Sequence, residues 1–139
     1  MSVEENKALV RRFVEEFWNT GNMGAADELI AGDAIITLPG VEQANLDTFK
    51  QFARTMRGAF PDWRSTVEEM VGEDNTVAER WTGRGTHQGA FQGTAPTGRQ
   101  VIVPGVVFYR IAAGRIVEFR GQFDGVGLMQ QIGAIPAHA

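Results

Sequence analysis

Leu9, Val10, Phe13, Val14, Phe17 and Trp18 recur at i, i+1, i+4 and i+5, which draws one apolar stripe along a helix of several turns. Ser2 and Glu5 have the spacing of a capping box at its start, and Gly21 supplies a stop. Ala25, Ala26, Leu29 and Ile30 predict a second, short helix that ends near Gly32. Residues Ala34 to Thr37 read as a short strand, broken by Leu38-Pro39-Gly40. Asn45 can cap a third helix, on which Leu46, Phe49, Phe52, Ala53, Met56 and Phe60 share a face, and Pro61 ends it.

The period then changes from helical to alternating. Trp63 to Val71, Thr76 to His87, Arg99 to Ile111 and Arg115 to Asp124 all read as strands. Gly72 to Asn75 and Ala112 to Gly114 are short, turn-like connections, so antiparallel pairing is predicted. Gln88 to Gly98 is a longer loop rich in Gly, Pro and Thr. Pro104-Gly105 interrupts the third long strand, where a bulge or sharp bend would curve the sheet. A last helical segment runs from Val126 to Ile132 and stops at Gly133. Helices first and strands afterwards predict an α+β fold, with three N-terminal helices over one face of a strongly curved antiparallel sheet. Such a bend leaves a cone with an internal pocket, the usual place for a small molecule.

Composition bounds this picture without redirecting it. The 139 residues suit one domain spanning 1–139, and 43% hydrophobic content is enough for one core. Seventeen acidic against 13 basic residues give a net charge of −4 with no basic cluster, which argues against nucleic acid or an anionic membrane as partner. Cysteine is absent, which excludes disulfides, thiolate nucleophiles and cysteine metal sites. The polar, acidic stretch Met1 to Glu5 does not read as a signal peptide, and no apolar run approaches the roughly 20 residues of a membrane span. The default location is cytoplasmic.

Among residues that could carry chemistry, Asp124 stands first. Glu118, Arg120, Gln122 and Asp124 share one face of the last strand, and Val117, Phe119 and Phe123 share the other. A polar row facing the helices would furnish a site; a polar row facing solvent would leave the aromatic row as core, and alternation does not choose between them. His87 ends the second long strand, either as a general base near neutral pH or, the better supported role for a lone strand-end histidine, as a hydrogen-bonded residue shaping the loop that follows. His138 lies in the tail. Two histidines so far apart give no metal-ligand spacing, and Asp33, Asp62, Glu68 and Glu69 are not grouped, so no metal is predicted. Gly83-Arg84-Gly85 lies inside a strand and opens no helix, so it is no phosphate loop. Ser65 has no evident base partner. Phe13, Phe17, Phe49, Phe52, Trp63 and Trp81 are core residues taken singly, although aromatics over a bent sheet can also wall a cavity. The predicted lining is Gln122, Trp81, Trp63, Phe17, Phe52 and Met56.

The run Arg80-Trp81-Thr82-Gly83-Arg84-Gly85-Thr86-His87-Gln88-Gly89-Ala90-Phe91-Gln92-Gly93-Thr94-Ala95-Pro96-Thr97-Gly98-Arg99 resembles the SnoaL-like polyketide (ester) cyclases, within the ketosteroid-isomerase-like cone-fold superfamily. So do Gly114-Arg115-Ile116-Val117-Glu118 and Asp124-Gly125-Val126-Gly127-Leu128-Met129-Gln130-Gln131-Ile132-Gly133, and likewise the helix from Asn6 to Trp18 and the step Ala59-Phe60-Pro61-Asp62-Trp63. The likeness covers nearly the whole chain. It implies a cone fold, a dimer or tetramer built by packing sheets, and aldol ring closure of a polyketide without metal or cofactor. It also implies that the aspartate of the Asp-x-x-Gly-Leu motif, here Asp124, acts as acid/base. An apolar pocket raises a carboxyl pKa, which suits removal of a proton beside a carbonyl and its return to the acceptor oxygen.

The chain departs from the family pattern at Arg120, where a tryptophan is common, and at Val106, Val107 and Phe108, where a polar partner, often histidine, stands on the neighbouring strand. Three functions follow. One is an enzyme acting on a hydrophobic, oxygenated substrate through Asp124. Another is an epoxide hydrolase, dehydratase or isomerase using Arg120 with Asp124 to orient water. The third is a small-molecule binding protein without catalysis.

Overall fold

The computed structural model describes residues 1–136, as four helices packed on a six-stranded sheet. Helix α1 (Val3–Phe13) opens on the predicted capping box, in which Glu5 N–H donates to the Ser2 hydroxyl and Ser2 N–H donates to the Glu5 carboxylate, both at 3.1 Å. It runs on as a π-helical segment, Val14–Asn19, closed by a bond from Thr20 N–H to Glu15 C=O. After α2 (Gly24–Leu29) comes β1 (Ile30–Leu38), much longer than the four-residue strand read from the sequence, and then β2 (Val41–Ala44), which the sequence did not signal. Helix α3 (Leu46–Ala59) is capped by Asn45, whose side chain accepts the Thr48 N–H. Strands β3 (Arg64–Glu73), β4 (Thr76–Thr86), β5 (Gln100–Ala112) and β6 (Arg115–Phe123) follow, each within two residues of its predicted ends, and α4 (Gly125–Gln131) closes the chain before Gly133, which has φ +80°.

The α+β fold is the one predicted, and the sheet is open rather than a closed barrel. Its order is β2-β1-β6-β5-β4-β3. Two local expectations are corrected. The sheet is mixed, because β1 pairs with β6 in parallel; a strand reached through helices and returning beside the last strand is free of the hairpin constraint that sets the other pairs antiparallel. No bulge interrupts β5 at Pro104-Gly105, since the β4–β5 ladder runs unbroken from Thr76 opposite Arg110 to Thr86 opposite Gln100. The register shifts sit elsewhere, between Val67 and Glu69 of β3, between Arg110 and Ile111 of β5, and within β1.

The helix stripes bury against the inner sheet face. Phe13 and Phe17 stack at 5.1 Å, Phe17 and Phe49 at 5.2 Å, and Phe49 meets Phe119 at 4.9 Å, all four rings being buried. Burying each such side chain contributes about 2–3 kcal/mol. A second cluster joins Met56, Phe60, Trp63, Val101 and Val103 to Leu128 and Ile132 of α4. Phe52 and Trp81 pack against both clusters, and the space between them is the cone's interior.

Candidate active site

The interior holds a cavity whose empty space, its open mouth included, is about 590 Å3. Val14 and Trp18 reach it from the π-helical segment, Leu38 and Pro39 from the end of β1, and Phe52 and Met56 from α3. The sheet contributes Trp63, Ser65, Glu79, Trp81, Val107, Tyr109, Phe119, Gly121, Gln122 and Phe123. All three tryptophans of the chain therefore line it.

Two strand glycines explain how indoles fit inside a sheet. A Cβ on Gly83 would come within 2.2 Å of the Trp63 ring, and one on Gly105 within 2.2 Å of the Trp81 ring. Each indole thus lies on bare backbone of the adjacent strand, an approach that any other residue would block. Trp63 is fixed further by donating its Nε1–H to the Ser65 hydroxyl at 3.1 Å.

Against these walls Glu79 is the exception. It lies on β4 in the inward row Val77, Glu79, Trp81, and it is only 3% exposed. Tyr109, fully buried on β5, donates its hydroxyl to Glu79 Oε1 at 2.7 Å. Oε2 is buried with no hydrogen-bond partner among the described residues. Burial pushes the Glu79 carboxyl up from 4.5 to about 7, and the Tyr109 bond and the charge of Arg11 offset only part of that rise. Burial, followed by the neighbouring Glu79, pushes the Tyr109 hydroxyl well above its ordinary value of 10.

The predicted site residues divide. Trp81, Trp63, Phe52, Met56 and Gln122 line the cavity, Gln122 while remaining exposed. Phe17 does not, because it is locked between Phe13 and Phe49 in the main core. His87 is fully buried away from the lining; its Nδ1 accepts the Thr97 N–H at 3.2 Å and pairs with the Thr97 hydroxyl at 2.9 Å, so it braces the loop before β5. Arg120 is exposed and pairs with Glu118 on the outer sheet face. Asp124 is exposed too and caps α4, its Oδ1 accepting the Gly127 N–H at 2.8 Å. Register decides these placements. Tyr109 opposite Phe119 and Gly105 opposite Phe123 turn the aromatic row of β6 toward the helices and leave Glu118 and Arg120 outside. Arg120 and Asp124 therefore do not form the pair that would orient a water. His138 lies outside the described residues.

Glu79 and Tyr109 escaped the sequence reading. Their signal was a lone carboxyl in an otherwise apolar alternating row and the chain's single tyrosine in the row Val107, Tyr109, Ile111.

Among the described residues no three His, Asp or Glu side chains group as metal ligands, and no helix is long and apolar enough to cross a membrane.

The family model of the SnoaL-like polyketide cyclases matches residues 8–132. The chain belongs to this family. Solved structures agree with the assignment. AclR of Streptomyces galilaeus, a candidate hydroxylase, is 27% identical, with a TM-score of 0.91 over 99% of this chain and 87% of AclR. IdmH of Streptomyces antibioticus, a candidate polyketide cyclase, is 31% identical, with a TM-score of 0.84 over 92% of this chain and 98% of IdmH. A SnoaL-like protein of Jannaschia sp. CCS1, 24% identical with a TM-score of 0.86 over 96% of this chain and 94% of that one, shares the fold. No curated protein matches the chain.

Proposed function

We propose that this SnoaL-like chain is a cyclase-type enzyme that folds a hydrophobic, oxygenated, polyketide-like substrate inside the cone and promotes ring closure by acid/base catalysis. The observation that carries the reading is the cavity itself, walled by three indoles and by Phe52, Phe119 and Phe123, with a single carboxyl in its lining. Apolar walls take up a flexible carbon chain, and holding its reacting carbons together can contribute several kcal/mol to the rate, up to roughly 7–11 kcal/mol when the fit is ideal. No metal or cofactor enters this mechanism.

The resemblance to the family's Asp-x-x-Gly-Leu motif would give an acid/base role to Asp124, which is exposed and outside the cavity lining, and its capping geometry makes that role separable from folding. Asparagine caps a helix as well as aspartate does but cannot exchange the proton. Asp124→Asn, assayed by mass spectrometric detection of cyclised product from a poly-β-ketone, should lose turnover at unchanged stability if the Asp124 carboxylate takes part. Unchanged turnover removes Asp124 from the chemistry and leaves it as the residue that holds α4 over the second core cluster.

For the assembly we propose a homodimer formed through the outer face of the sheet. Ile102, Val106 and Phe108 form an exposed apolar row there on β5, at 54%, 45% and 55% exposure, more than an isolated monomer needs to present.

A further inference from the structure

Within the cavity, one group combines burial, a missing partner and the capacity to move a proton. We propose that Glu79 is the proton-transfer residue of this cavity, acting through Oε2 on a neutral ligand whose reacting carbon lies between two carbonyls. The proposal rests on the reading that the cavity takes an oxygenated substrate.

The geometry supplies the case. Tyr109 occupies Oε1, which fixes the carboxyl plane, and Oε2, buried on the cavity side of the sheet, has no partner among the described residues. The residues directly across the sheet from Glu79 are Met70 on β3 and Val107 on β5, neither of which titrates. Tyr109 is the other ionisable group in the lining, and the one cation that influences Glu79 is Arg11, exposed on α1. With no Lys, Arg or His in the lining, a ligand carboxylate would face Glu79 uncompensated, so the ligand is neutral. With no cationic side chain in the lining to polarise a carbonyl, a carboxylate base is poorly matched to an ordinary ketone. It can act on a carbon whose anion is shared by two carbonyls.

The step balances on one group. Ionised Glu79 takes the C–H proton at Oε2, and the bonding pair becomes the enolate. The enolate carbon forms the new C–C bond at the acceptor carbonyl, whose π pair moves to its oxygen. Protonated Glu79 returns the same proton to that alkoxide and is regenerated as the carboxylate. A carboxyl that titrates near the working pH serves both halves.

The test follows replacement of the central C–H of 2-methyl-1-phenylbutane-1,3-dione by deuterium in D2O, by proton NMR, with binding read separately from quenching of the cavity tryptophans. Wild-type protein should accelerate exchange, with a rate that rises with pH and levels off above a midpoint near 7. Glu79→Gln should bind the probe within about threefold of wild type and lose at least about 100-fold of the catalysed rate. Tyr109→Phe removes a bond that lowers the Glu79 pKa, so its midpoint should move upward, a change that a purely structural role would not produce. Retention of exchange by folded Glu79→Gln overturns the assignment, as does wild-type protein that binds the probe without exchanging it. Should Glu79→Gln fail to fold, the wild-type and Tyr109→Phe profiles decide: coincident midpoints overturn it. Wild-type protein that does not bind the probe overturns the cavity reading as well, whereas exchange without Glu79 overturns the residue assignment alone.

Discussion

Replacing Glu79 by glutamine should make the protein more stable at alkaline pH than at acid pH relative to wild type. The folded carboxyl binds its proton up to about pH 7, whereas the unfolded one releases it near 4.5. Between those values the unfolded state holds fewer protons, so the stability that protonated Glu79 retains is full below pH 4.5 and is lost as pH rises through 7. Each tenfold change in proton affinity is worth about 1.4 kcal/mol, which makes the loss about 3 kcal/mol. Glutamine keeps an acceptor for the Tyr109 hydroxyl and does not ionise. Its unpartnered NH2 in place of Oε2 carries a cost, but the same one at every pH. The difference in unfolding free energy, Glu79→Gln minus wild type, should therefore grow by about 3 kcal/mol from pH 4 to pH 9, or roughly 10 °C in Tm for a chain of this size. Thermal melts of both proteins across that range, followed by circular dichroism, measure it. A difference that stays constant within about 2 °C would refute the claim that Glu79 is buried without a charge partner, and the proton-transfer role would lose its physical basis.

Other substitutions test other parts of the structure. Gly105→Ala should push the Trp81 indole off the β5 backbone, cost about 1–3 kcal/mol by overpacking and weaken probe binding; denaturant unfolding and tryptophan quenching report both effects. Asp124→Ala should cost about 1 kcal/mol through loss of the α4 cap and Asp124→Asn much less, so equal destabilisation of the two in urea melts would show that the capping bond contributes nothing. Phe108→Glu should convert the proposed dimer to monomer with the fold intact, as read by light scattering after gel filtration; a dimer that survives the change places the interface elsewhere.

The sequence by itself determined the helices, the four long strands, the α+β class and the family, because these depend on local periodicity, capping residues and contiguous motifs. The Ser2–Glu5 box, the Asn45 cap and the four long strands all appear where the pattern put them. It missed β2 and the length of β1: Leu38-Pro39-Gly40 reads as a break, whereas Pro39-Gly40 is the turn of a β1–β2 hairpin, and the other partner of β1 is β6, paired in parallel from the far end of the chain. The site was legible in part. Trp63, Trp81, Phe52 and Met56 were read as possible walls from their stripes, and the glycines that seat the indoles were visible as oddities inside strands. What alternation could not supply was the sign of each face, since a strand with polar and aromatic rows reads the same either way up. The β5–β6 register made that choice. It turned Phe119 and Phe123 inward, left Arg120 paired with the half-buried Glu118 on the outer face, and put Asp124 at the start of α4 as a cap. The same sheet brought Glu79 and Tyr109, 30 residues apart, to 2.7 Å in a dry interior. A carboxyl acquires its chemistry from the solvent it loses, and only the tertiary structure decides which carboxyl loses it.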